Sequence, residues 1–155
     1  MDALNPERGF RVTLMLADSA QVAEGKLYLL GGGWTEIGPR PWPFAVAGII
    51  EVPWNLANQP HQFRLELIDL DGESVLVPTP DGEQPLFIEG GFEVGRPPGT
   101  RAGTALPFLL AFNAGPVPLP PGSYFEWRLL IDGESSEDWR LAFRTRPDDG
   151  LAEAA

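Results

Sequence analysis

The sequence predicts an all-β domain: an antiparallel, Greek-key-like β-sandwich of about eight or nine strands, with at most one or two short helical turns. Three observations carry this expectation. Apolar and polar residues alternate over several short runs, most cleanly in Gln62–Leu70, where Phe63, Leu65 and Leu67 oppose Arg64 and Glu66. Turn-forming residues, among them 18 glycines and 17 prolines, punctuate these runs about every 8–12 residues. Inside the domain, only Ala17–Lys26 reads well as a helical turn, capped by Asp18 or Ser19 and ended by Gly25.

In chain order, Phe10–Leu16 alternates Phe10, Val12, Leu14 and Leu16 against Arg11, Thr13 and Met15. Lys26–Leu30 is a second strand, bent at Gly31–Gly33 into Trp34. After the bend at Pro39, Pro41 and Pro43, Phe44–Val52 is almost wholly apolar, as expected of a central strand buried on both faces. Trp54–Pro60 connects it to Gln62–Leu70, with room for one helical turn, and Asp71-Gly72 turns the chain toward Glu73–Val77. Pro78–Pro85 reads as a loop. Leu86–Val94 reads as a strand bulged or sharply bent at Gly90-Gly91. Ala105–Asn113 follows a loop at 96–104, and Pro107 places it at an edge or a strand start. A long hairpin closes the fold: Tyr124–Ile131, a turn at Asp132-Gly133, and a return with Trp139, Leu141 and Phe143 against Arg140, Ala142 and Arg144. Tyr124, just after Pro121-Gly122, fits a tyrosine corner, whose hydroxyl bonds back to nearby backbone. A single domain over residues 10–146 is expected, with flexible tails at 1–9 and 147–155.

Hydrophobic residues make up 43% of the chain and fall in patterned runs, so the glycine and proline content marks turns rather than disorder. The formal net charge of −11 disfavours nucleic acid and anionic membrane surfaces as partners. Its plain consequence is solubility and self-repulsion, and docking of a basic partner is the functional alternative. The absence of cysteine excludes disulfides, a thiolate nucleophile and Cys-ligated zinc. With neither an N-terminal signal pattern nor an apolar run of spanning length in the sequence, a cytoplasmic location is expected.

Candidate chemistry is sparse. The single histidine, His61, lacks a nucleophile elbow elsewhere in the chain and reads as a solvated residue at a strand entry. Acidic turns at Asp69, Asp71 and Glu73, at Asp81 and Glu83, and at Asp132 and Glu134 could feed calcium, but Asp-Gly is first a turn signal. The strand carboxylates Glu51, Glu66, Glu89, Glu93 and Glu126 read as solvent-facing rather than as an acid–base pair. In LLGGGW the lysine precedes the glycines, the wrong order for a phosphate loop, and a tight bend is expected instead. Trp34, Trp42 and Trp54 lie beside loops and prolines. They plug the ends of the sandwich or, exposed, anchor a sugar or a protein partner. Trp127 and Trp139 are expected in the core.

The combination of LADSAQVAEGKLYLLGGGW, IEVPW, RLELIDLDGE and LPPGSYFEWRLLIDGE resembles an uncharacterised bacterial family of small single-domain proteins. The resemblance covers about Phe10–Arg146 and implies a β-sandwich. It implies no activity, cofactor or catalytic residue. The expected function is therefore a non-enzymatic interaction or structural module without a cofactor, its partner another protein. Docking would use a strand edge, by β-augmentation, or the loop-end tryptophans. The alternative is a small-ligand or carbohydrate-binding module, calcium-supported, on Trp34, Trp42 and Trp54; an enzyme ranks third.

Overall fold

Two sheets, pairing residues far apart in the chain, make up the body of the protein. The computed structural model describes residues 9–148; most of the expected tails, 1–8 and 149–155, lie outside the described residues. The strands are β1 (Arg11–Ala17), β2 (Ser19–Ala23), β3 (Lys26–Leu30), β4 (Glu36–Ile37), β5 (Phe44–Val52), β6 (His61–Asp69), β7 (Leu76–Thr79), β8 (Gly82–Pro85), β9 (Phe87–Phe92), β10 (Leu106–Ala114), β11 (Tyr124–Ile131) and β12 (Arg140–Thr145), with one 3-10 turn at Trp54–Leu56. One sheet has the order β1-β5-β10 and the other β4-β12-β11-β6-β9, while β2-β3 and β7-β8 are separate hairpins. All pairings are antiparallel except that of β4 with β12. Apart from the short β4, this is the strand distribution of an immunoglobulin-type sandwich without the edge strand that would pair with β10.

The two inner faces meet in one core. Val46, Ile50 and Val52 of β5, Leu65 and Leu67 of β6, and Phe125, Trp127, Leu129 and Ile131 of β11 are all buried within it. Each comes from alternate positions of its strand, so the period-two pattern in the sequence is the cause of the layering. Trp127 is fully buried and packs against Phe44 and Phe112.

β5 is buried on both faces, as its composition predicts. Its outward residues Ala45 and Ala47 lie under the β2–β3 hairpin, where Ala20 and Leu27 cover them. The Asn113 side chain fastens that hairpin, accepting from Ala20 N–H at 3.1 Å and donating to Ala20 C=O at 2.8 Å. The expected helical turn over Ala17–Lys26 is therefore wrong. Glu24 and Gly25 adopt φ of +53° and +71°, the left-handed pair that closes a two-residue hairpin. Gly25 is a turn residue, not a helix end.

Three further expectations need correction. Pro78–Pro85 is not a loop, because β7 and β8 pair across it from Leu76↔Pro85 to Thr79↔Gly82. Gly90-Gly91 produces no bulge: the ladder runs unbroken through Gln62↔Gly91 and Phe63↔Gly90. A Cβ on Gly90 would stand 3.2 Å from the Phe63 ring, so the glycine makes room for that ring. Tyr124 is 53% exposed and sits opposite Arg144, and no hydrogen bond joins its hydroxyl to the backbone of any described residue, so it does not serve as a tyrosine corner.

Candidate functional site

His61 is the first correction at the level of chemistry. It is 5% exposed, not solvated, and lies between the rings of Phe10 and Phe92. Its Nδ1 is 2.8 Å from Asp132 Oδ2, and its Nε2 is 2.8 Å from the carbonyl oxygen of Leu56. A carbonyl and a carboxylate both accept, so both contacts are satisfied only when both ring nitrogens donate, and the surroundings favour the imidazolium. Burial opposes that charge and is the largest single influence. The bonds to Leu56 and Asp132, with the charges of Asp132 and Glu93, outweigh it and raise the His61 pKa. Burial likewise pushes the Asp132 carboxyl up, but the Gln62 N–H and His61 more than compensate, and its pKa is lowered. Both ring nitrogens are thus engaged within the fold, and the pair ties the start of β6 to the turn after β11.

Several of the acidic candidates are engaged within the fold. Asp69 Oδ1 accepts the backbone N–H groups of Asp71 at 2.9 Å and Glu73 at 3.0 Å, which makes DLDGE a closed turn. Among the described residues, no group of three or more His, Cys, Asp or Glu is arranged to hold a metal ion. Glu51 pairs with Arg11, Glu66 with Arg64 and Arg128, Glu89 with Arg64, and Glu126 with Arg140. Apart from Arg64–Glu66, which lies within β6, these are cross-strand pairs on the outer faces of the sheets, and Glu66 is buried rather than solvent-facing. At the glycine run, Gly33 N–H donates to Leu16 C=O, and Asp18 fills the space that a Gly31 side chain would need. The run is a tight bend, not a phosphate cradle.

The three loop tryptophans separate. Trp54, in the 3-10 turn, lies beneath the Arg96 guanidinium, 4.5 Å from its ring centroid, and Arg96 also donates to the Trp54 carbonyl. Trp34 and Trp42 instead line one cleft of about 620 Å³ together with Asp18, Glu36, Arg40 and Arg146. The nine residues of β5 stand between Trp42 and Trp54. At about 3.4 Å per residue they hold the two some 30 Å apart. That spacing was readable in the sequence and rules out a shared three-tryptophan surface.

Within the cleft, Trp34 is partly buried and packs edge-on to Phe44 and Phe143. Trp42, between Pro41 and Pro43, is 64% exposed. Glu36 forms the charged floor: Oε2 takes Arg144 Nε at 2.6 Å and Oε1 takes Arg146 Nε at 2.7 Å. These bonds, Arg146 first, hold the Glu36 carboxyl below its ordinary pKa. Arg40 is exposed and forms no ion pair with any described residue. Sequence reasoning missed Arg40, although its position in Pro39-Arg40-Pro41-Trp42-Pro43 was a signal, since alternating prolines stiffen what lies between them.

Fold and site together define a β-sandwich of immunoglobulin-type strand order whose open surface is an aromatic cleft with a guanidinium at its rim. The chain belongs to DUF6941, a family of unknown function whose profile matches residues 12–144. No curated protein matches it.

Proposed function

We propose that the protein is a non-catalytic interaction module that docks another protein in the Trp34–Trp42 cleft. The observation that carries this reading is Trp42, a large apolar side chain left 64% exposed on a proline-stiffened loop. Exposing such a ring is unfavourable by about 1.5–3 kcal/mol relative to burying it, and Trp and Arg are the side chains that most often dominate protein interfaces. A loop already rigid before binding loses little conformational freedom on docking. Bacterial origin and a cytoplasmic location belong to this same reading.

A second reading rests on the cleft itself. Its 620 Å³ lies within the range of small-molecule sites, so a ring-bearing ligand stacking on Trp42 is the alternative. Calcium support is not part of it, because among the described residues no three acidic side chains are grouped to hold the ion.

Affinity capture from the host, comparing wild type with Trp42→Ala and with Lys26→Ala as a control, tests the first reading. A protein retained by wild type and Lys26→Ala but lost with Trp42→Ala supports it. Identical captures by all three proteins contradict it. Retention of a small molecule instead, read by mass spectrometry of the purified protein, moves the assignment to the second reading.

A further inference from the structure

The open edge of β10 carries an inference separate from the cleft. Leu16 C=O of β1 accepts from Gly33, so Leu16 turns its backbone groups away from β5. Its partner Val46 must then direct its own groups toward β10, where it faces Phe112. Phe112 therefore bonds inward, and the alternate residues Leu109, Ala111 and Asn113 present N–H and C=O along the free edge. Pro107 falls in this outward set, where its missing N–H costs the ladder nothing. No backbone hydrogen bond reaches this edge from any described residue outside β5.

Long open edges are normally protected by charge, shortness or cover. β9 carries Glu89, β1 carries Arg11 and receives Gly33, and β4 has two residues. β10 has nine residues, LPFLLAFNA, and no charge. Hollows flank both ends: one of about 490 Å³ against Pro107–Leu109, whose single ionisable residue is Glu93, and one of about 270 Å³ against Phe112–Pro118, with none. In a chain of net charge −11, this is a surface on which two copies can meet without like-charge repulsion in the ladder.

We infer that β10 pairs antiparallel with β10 of a second copy about a two-fold axis at Ala111, joining two three-stranded sheets into one of six strands. Ala111 faces Ala111, and Leu109 faces Asn113 of the partner subunit, so each outward donor meets an outward acceptor. The two-fold also brings the Pro107 end of one copy beside the Pro116–Pro118 end of the other, apolar surface against apolar surface. A copy of β10 arrives already ordered, whereas a free peptide would lose about 1–2 kcal/mol of backbone entropy per residue on pairing.

Sedimentation of the full chain from micromolar to millimolar concentration, with amide hydrogen exchange at both limits, tests this. The expected result is a dimer in which the Leu109, Ala111 and Asn113 amides are protected at high concentration and exposed on dilution. Ala111→Pro removes an outward donor and no β5 bond, and it should weaken the dimer roughly tenfold or more. A wild-type monomer at every concentration overturns the inference, as does a dimer in which these three amides exchange freely. A monomer whose three amides become protected only on addition of host extract also overturns it, in favour of a strand from a different protein.

Discussion

His61 and Asp132, 71 residues apart in sequence, meet at 2.8 Å across the start of β6 and the end of β11. At this end the same two strands are also joined by Asp132 N–H to Gln62 C=O at 2.8 Å and by Gln62 N–H to Asp132 Oδ1 at 2.9 Å. Asp132 reaches it with φ of +51°, a conformation that Asp tolerates better than most residues.

This contact makes stability depend on pH in a defined window. The folded pKa of His61 is raised, so its contribution is complete below the ordinary value of 6.5 and is lost as pH rises through the folded pKa. The folded pKa of Asp132 is lowered, so its contribution is present above 3.8 and is lost as pH falls through the folded pKa. The Tm gap between wild type and Asp132→Asn should be widest between these two values and narrow on either side. A gap constant from acid to alkaline pH would contradict the pairing.

Gly48 of β5 stands opposite Leu14 of β1. A Cβ there would stand 2.9 Å from Leu14 Cδ2 and 3.0 Å from Thr13 O. Gly48→Ala should cost about 1–3 kcal/mol in urea unfolding. Gly115→Ala, with nothing within 4 Å, should stay within about 0.5 kcal/mol of wild type.

Asn113 holds the β2–β3 hairpin by both hydrogen bonds of one amide group. Asn113→Ala should cost about 1–2 kcal/mol. The diagnostic readout is local: amides of Ser19–Leu30 should exchange faster than in wild type, while those of β11 keep their protection.

Two tryptophans give opposite responses. Trp127, fully buried, should cost about 3–5 kcal/mol as Trp127→Ala. Trp42→Ala should leave stability within about 0.5 kcal/mol, because its ring is mostly in solvent. Equal losses at both positions would mean that Trp42 serves the fold and not a partner.

The strands were largely legible because alternation is enforced locally: every second residue of β6 and β11 must face the core, whatever lies far away. The same locality explains three of the misreadings. Ala17–Lys26 looked helical because Asp18 and Gly25 also suit helix ends, and only the alanines Ala45 and Ala47 across the sheet make room for a hairpin. Gly90-Gly91 looked like a bulge because the Phe63 ring it accommodates belongs to another strand. His61 looked solvated because its two acceptors, Leu56 and Asp132, come from separate parts of the chain. The site was partly legible: two of the three tryptophans noted in the sequence share a cleft. Arg40 and the Glu36 floor emerge only when β4 is laid beside β12, a parallel pairing that no local pattern announces.

The proposed function puts the partner in the Trp34–Trp42 cleft and not at Trp54. Site-specific photo-cross-linking in the native host tests that most directly, with benzoylphenylalanine placed at position 42 in one protein and at position 54 in another. The account predicts a discrete cross-linked protein from position 42 and none from position 54. The same adduct from both positions, or an adduct from position 54 alone, would contradict it.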